Sequence, residues 1–252
     1  MTEKNSPSEL DSLMQRAIAD LREEEPFFRA LLDATVYAHA PLSDDSGRLR
    51  LIQFVRPDNG QTVLPFFTDE TKADLAAQGA LRVVAMPGRT LLSITRGATL
   101  MLNPNDERCV LYPEEVASLL RTGRVAACVG ITVTAPTRMR APSSVPEGLE
   151  KLLTKVLRPL PFVEKACVVE TFLDADPERV AFLIILEVEE RHAERAVRAI
   201  ATGFQVCPED FGGAIDVTTR GRISQEPTGG RSQVSRPPTI APEPTTASAR
   251  AH

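Results

Sequence analysis

Histidine is scarce in this chain, with three among 252 residues, and one of them, His252, is the last residue. His39 and His192 have no evident partner in sequence, which argues against metal sites and against imidazole acid–base chemistry. The four cysteines (Cys109, Cys128, Cys167 and Cys207) are too far apart to form a zinc-type or redox-type pair. Their neighbours are apolar, as in Ala126-Ala127-Cys128-Val129, so they read as reduced, buried thiols of a cytoplasmic protein. Behind Met1 come Thr2, Glu3, Lys4 and Asn5, which is not the basic-then-apolar start of a secretory signal. No apolar run nears the roughly 18 residues of a membrane span. The longest, Val180 to Leu186, has the length of a strand.

Strong charge of either sign is also missing. The formal net charge is −5, with no basic cluster to meet a phosphate backbone or an anionic membrane surface. No Gly-x-Gly-x-x-Gly, Gly-x-x-x-x-Gly-Lys or Gly-x-Ser-x-Gly pattern occurs, so neither a nucleotide cradle nor a nucleophile elbow is indicated. These absences leave a noncatalytic protein without cofactor, metal, nucleic acid or membrane as the expectation.

What is present is ordinary globular patterning, 42% hydrophobic and 25% charged. Ser6-Pro7-Ser8-Glu9 reads as a capping box, and Leu10, Leu13, Met14, Ala17, Ile18 and Leu21 follow as a helical stripe. A second helical turn runs from Pro26 to Asp33. Short strands follow: Thr35–Ala40, then Leu49–Val55 and Thr62–Phe67 around the hairpin signal Asn59-Gly60, then Leu81–Met86. Thr68 is placed to cap a short helix with Asp69 and Glu70 in its first turn. A helical segment spans Arg89 to Arg96, and a second hairpin, Thr99–Leu102 with Arg108–Leu111, brackets Asn103-Pro104-Asn105-Asp106. Pro113 to Arg121 is a helix closed by Gly123.

From Val125 the rhythm changes. An alternating strand, Val125–Val133, leads into a linker, Ala135–Ser143. Ser144-Val145-Pro146-Glu147 reads as a capping box for the stripe Leu149, Leu152, Leu153, Val156 and Leu157. Strands Val163–Leu173 and Arg179–Glu189, a third helix closed by Gly203, and the strand Ile215–Thr219 complete a strand, helix, strand, strand, helix, strand order. That is the ferredoxin-like split arrangement. The strand Arg179–Glu189 is apolar on both faces, with Val180, Phe182, Ile184, Leu186 and Val188 on one and Ala181, Leu183 and Ile185 on the other. Helices cover one face, so a second domain or a second subunit is needed over the other. From Glu226 to His252 the chain is rich in Pro, Thr, Ser and Ala, without periodicity, and reads as a disordered tail.

The residues of the first half, in their order, carry a resemblance. They are Val36-Tyr37-Ala38, Val63-Leu64-Pro65-Phe66-Phe67-Thr68-Asp69, Val83-Val84-Ala85-Met86-Pro87-Gly88, Leu102-Asn103-Pro104 and the helix starting Pro113-Glu114-Glu115-Val116. This order resembles the N-terminal domain of the SseB (enhanced serine sensitivity) family. The region from Val125 to about Thr219 is similar to the C-terminal domain of that family. The resemblance implies a bacterial cytosolic α+β protein of two small domains, named for a serine-sensitivity phenotype and without catalytic residues to carry over. The expected division is a helical extension over 1–30, the N-terminal domain over 31–123, the C-terminal domain over 124–221 and the tail over 222–252.

The candidate binding residues are Thr68, Asp69, Asn103, Arg138 and Arg140. Asn103 can line a ligand corner, and Asn-Pro is also what a type I turn prefers. Thr68 and Asp69 can offer a hydroxyl and a carboxylate, or serve only to start a helix. Arg138 and Arg140, in the loop before a helix, can receive an anion or an acidic partner. The expected function is protein interaction or regulation through an unknown protein partner, with homo-oligomer formation through the second apolar face. The alternative is a small-molecule, amino-acid-sensing domain protein.

Overall fold

A computed structural model describes residues 7–43, 47–106, 109–126, 137–173, 176–207, 209, 211, 214–220 and 249–250. The chain is α+β and divides into two compact units, Met1–Ala127 and Cys128–His252.

The first unit opens with α1 (Pro7–Ala19), a short 3-10 turn and α2 (Glu24–Asp33). The α1 stripe is narrower than its sequence suggests. Leu10, Met14 and Ala17 are buried, whereas Ile18 is 61% exposed. Together with Phe27, Phe28, Leu31 and Leu32 of α2 they enter the main core, so α1 is packed into the unit rather than appended to it. Each of the buried leucine, methionine and phenylalanine side chains among them stabilises by about 1.5–3 kcal/mol.

The strands are β1 (Thr35–Pro41), β2 (Phe54–Val55), β3 (Thr62–Phe67), β4 (Leu81–Pro87), β5 (Leu100–Leu102) and β6 (Cys109–Leu111). Their order is β4-β1-β3-β5-β6, with β2 paired to β3. The β3–β5 pair is parallel, and β1–β3, β1–β4 and β5–β6 are antiparallel. The Asn59-Gly60 signal becomes a loop closed by Arg56 N to Gln61 O at 2.8 Å, with Gly60 at φ 70°. Alternation along the strands decides the layers. Val36, Ala38, Leu64, Phe66, Leu100 and Leu102 face the core shared with α1, α2, α4 (Gly88–Ile94) and α5 (Pro113–Thr122). On the other side, α3 (Glu70–Ala77) covers His39, whose Nε2 lies 2.9 Å from the Ala73 carbonyl. There Phe54 packs on Val63, Met101, Val110 and Tyr112. At the start of α5, Glu115 reaches back to accept from the Tyr112 N–H at 2.9 Å.

The second unit holds β7 (Thr137–Arg140), α6 (Glu147–Leu157), β8 (Val163–Leu173), β9 (Asp176–Val188), α7 (Glu190–Gln205), β10 (Ile215–Arg220) and β11 (Ala249–Arg250). Leu149 and Leu153 of α6 and Ala196, Val197 and Ile200 of α7 pack against Ile184, Leu186, Val188, Ile215 and Val217. Several expectations change here. The order is β11-β10-β9-β8-β7, with β10 parallel beside β9. The ferredoxin-like arrangement instead places its first strand beside that one. The expected first strand, Val125–Val133, lies outside the described residues from 127 onward, so the described strands do not form the ferredoxin-like order. Within the expected linker, Thr137–Arg140 is an edge strand paired with β8. Pro146, not Ser144, is the N-cap of α6, and its carbonyl accepts from Leu149 and Glu150. Gly203 lies inside α7 because a Cβ there would come 2.5 Å from Val156 Cγ2 on α6. The expected tail lies outside the described residues except for Ala249–Arg250, which pair with Asp216 and Val217. Ser6 of the first capping box is also outside them.

Candidate functional site

Three of the expected site residues meet at one corner of the first unit. The parallel strands β3 and β5 end side by side, with Phe66 opposite Leu102, so the residues just beyond them, Thr68 and Asn103, are neighbours. The Asn103 N–H donates to the Phe66 carbonyl at 2.9 Å. Its backbone is left-handed, φ 44°, a conformation asparagine tolerates better than most residues. The turn reading of Asn103-Pro104-Asn105-Asp106 holds, since Asp106 N donates to Asn103 O at 2.9 Å.

The Asn103 side chain is 1% exposed and ties the corner together. Its Oδ1 accepts from the Thr68 N–H at 3.1 Å, and its Nδ2 donates to Thr68 Oγ1 at 3.2 Å. Nδ2 also lies 3.7 Å from the Met14 sulfur of α1. Thr68 does not cap α3. Its hydroxyl donates to Asp11 Oδ1 of α1 at 2.8 Å. The cap is Asp69, whose Oδ1 accepts from the Lys72 N–H at 2.8 Å. Lys72 Nζ then lies 3.3 Å from Asp11 and 3.5 Å from Asp106. Asn103, Thr68, Asp11, Lys72 and Asp106 therefore form a clasp joining α1 to the ends of β3 and β5. Every polar group in this clasp faces another. These contacts tie α1 to the ends of β3 and β5. Sequence reading missed Asp11, 57 residues from Thr68, and Lys72. The aspartate carried no signal beyond its place on the polar side of an amphipathic helix.

Arg138 and Arg140 belong to the second unit and are on β7, not in a loop. Arg140 is already engaged. Its Nε donates to Glu170 Oε2 at 2.6 Å, and its guanidinium lies 5.1 Å over the Phe172 ring. Glu170 Oε1 accepts from both the N–H and the hydroxyl of Ser143 at 3.0 Å. The Arg140 hydrogen bond, with help from Ser143, holds the Glu170 carboxyl below the ordinary glutamate range. Arg138 is exposed and opposite Phe172 in register. This arrangement fixes the end of β7 to β8.

The two described histidines are also structural in setting. His39 packs against Phe67 with ring centroids 4.9 Å apart, and His192 stacks on Phe162 at 4.6 Å. Burial, followed by the neighbouring Arg191, pushes the His192 imidazole below its usual range. Among the described residues, no group of three or more His, Cys, Asp or Glu is arranged to hold a metal ion, and no helix is long and apolar enough to cross a membrane.

Residues 10–118, from α1 through most of α5, match the family described as SseB protein N-terminal domain. Two curated relatives, each named Protein SseB, come from Escherichia coli (strain K12) and Shigella flexneri. Each is 31% identical over 100 residues, covering 38% of this chain and 39% of the relative. The chain thus spans about two fifths of the length of the curated relatives it matches, at 39%. No solved structure matches it. The matched segment contains the whole Asp11–Thr68–Asn103 clasp, so the clasp lies in the part of the chain that is similar to the SseB N-terminal domain.

Proposed function

We propose that this chain is a noncatalytic regulatory protein that acts by protein contact, through the face of the second unit's sheet turned away from α6 and α7. The observation supporting this is the pairing of β8 with β9. Cys167 stands opposite Ile185, Val169 opposite Leu183 and Thr171 opposite Ala181. These residues share the face turned away from Ile184 and Leu186, against which α6 and α7 pack. Cys167, Val169, Leu183 and Ile185 are only half-buried. At one end, Lys165, Glu187 and Arg220 form a row carrying both signs, with Arg220 3.2 Å from Glu187. An apolar centre beside a mixed-charge rim is the anatomy of a protein-recognition surface. The balance of signs suits a second copy of this chain, since Lys165 of one copy can face Glu187 of another. We include in the proposal a C-terminal domain of the SseB type, a cytoplasmic location and the serine-sensitivity link of the family name.

The test is sedimentation velocity of the full chain over a concentration series, beside Leu183→Arg. Self-association of the wild type, lost in a variant with unchanged circular dichroism, supports the reading. A wild type that stays monomeric, and that captures no protein whose binding Leu183→Arg abolishes, sinks it.

A further inference from the structure

The first unit also has a groove of about 360 Å³ between the C-terminal ends of α2 and α5 and the start of α4. Leu32 and Leu119 line its floor, and Arg29, Arg89 and Arg121 converge on it, with Asp33 the one acidic lining residue. Three guanidinium groups on one small concavity are unexpected in a chain of net charge −5.

Local partners do not account for all of that charge. Arg29 pairs with Glu25, one helical turn away. Arg89 meets Asp33 only at 3.9 Å, at the limit of an ion pair, and is itself 54% exposed. Among the described residues, no carboxylate lies within ion-pair reach of Arg121. Glu25 is shared with Arg124 at 2.9 Å, so four guanidinium groups face Glu25, Asp33 and the carbonyl ends of α2 and α5, about half a negative charge each, which leaves the groove and its rim at about +1. A guanidinium presents its donors in a planar fork that matches carboxylate and phosphate oxygens. The volume is at the lower end of small-ligand sites.

We propose that this groove binds a small oxyanion, a molecule bearing carboxylate or phosphate groups, held by Arg121 and Arg89 with Arg29 at the rim. The site is separate from the proposed protein-contact face and stands or falls independently of it. Ligand binding ties α2, α4 and α5 together at their ends, so occupancy raises the stability of the first unit in proportion to free ligand.

The experiment is calorimetric titration of the full chain with citrate in one arm and pyrophosphate in the other, at constant ionic strength so that general screening cancels. The wild type should give saturable one-to-one binding with at least one of the two anions, and the stronger arm names the ligand chemistry. Arg121→Gln and Arg89→Gln should each weaken that binding by roughly tenfold or more, the loss of one charge-assisted hydrogen bond. Arg82→Gln, outside the groove, should leave it unchanged. The readout is kept to variants whose melting curves match the wild type, and Arg121, having no described ion-pair partner, is expected to be among them. No saturable heat in either arm overturns the proposal. So does binding that the two groove variants leave intact, or that Arg82→Gln weakens equally.

Discussion

Gly88→Ala should damage the first unit far more than its surface-to-core position at the start of a short helix would suggest. A Cβ built on Gly88 lands 2.0 Å from the Leu31 carbonyl oxygen, 3.1 Å from Leu31 C and 3.4 Å from Leu32 Cα. These are backbone atoms of α2, so no side-chain rotation relieves the contact. Separation must grow by about 1 Å or more, which moves α4 off α2. Both helices are fixed by side chains with no room to follow, since Leu31, Leu91 and Leu92 are fully buried. The same shift lengthens the bond from Gly88 N to Ala34 O, now 2.9 Å. Overpacking of this kind costs about 1–3 kcal/mol, and a weakened buried hydrogen bond adds about 1. Against that, alanine recovers about 0.4–1 kcal/mol of unfolded-chain entropy, because the Gly88 backbone is not left-handed. The net loss is about 2–3 kcal/mol. The two units make a single global transition an unsafe measure. Amide exchange over residues 27–36 and 88–96 reports on α2 and α4 directly. The expected fall in protection is roughly thirty- to a hundredfold. Gly97 supplies the contrast, with φ 89° and open space around it. There Gly97→Ala should cost about 1–2 kcal/mol for conformation alone, and Gly97→Asn less. Protection in Gly88→Ala equal to or above the wild type would refute the steric argument.

Gly203→Ala places its methyl 2.5 Å from Val156 Cγ2 and should destabilise the second unit by about 1–3 kcal/mol. Val156→Ala in the same chain should restore part of that loss, and strictly additive effects in a double-mutant cycle would exclude the contact. Asn103→Ala removes the partners of Thr68 and the tolerance for φ 44° together, for a loss of about 2–4 kcal/mol by chemical denaturation. Asn103→Gly keeps the backbone freedom and should be about 1 kcal/mol less costly, so equal losses would remove the backbone part of the account. Glu170 is depressed in the folded state by Arg140, so its stabilisation is present above the unfolded glutamate range and is lost as pH falls through the folded value. Thermal melts should fall more steeply in acid, below about pH 4.3, for the wild type than for Glu170→Gln. His192 is also depressed, by burial first, so protonation opposes folding. Stability should decline as pH falls from about 6.5, and His192→Gln should flatten that decline.

Most elements were legible in the sequence because local signals and tertiary packing agreed. Pro113 and Gly123 bracket α5 as their backbone preferences require. Asn103-Pro104 makes its turn between β5 and β6. The misreadings fall where a local signal was overruled by a neighbour distant in sequence. Gly203 looked like a helix stop, yet its lack of a side chain serves the close approach of Val156. Ser144 looked like a cap, but Pro146 and its carbonyl start α6. Strand order was least legible, because alternation says which face a residue takes and nothing about which strand lies beside it. Hence β10 beside β9 was not foreseen.

The clasp follows the same logic and limits how the family signature can be interpreted. Thr68 and Asn103 stand out in sequence as short polar motifs between apolar strands, the pattern a ligand corner would also show. Their partners decide between the two readings. Asn103 uses its amide on Thr68, the Thr68 hydroxyl donates a hydrogen bond to Asp11, and Lys72 bridges Asp11 to Asp106. A ligand entering there would have to displace α1, with Leu10 and Met14 almost fully buried beneath it. Burial of those two side chains opposes that displacement by about 3–6 kcal/mol. The signature residues are therefore positioned to hold the first helix, and recognition is better sought at surfaces whose charges or apolar side chains are not already spent. In this chain those are the groove around Arg121 in the first unit and the sheet face turned away from α6 and α7 in the second.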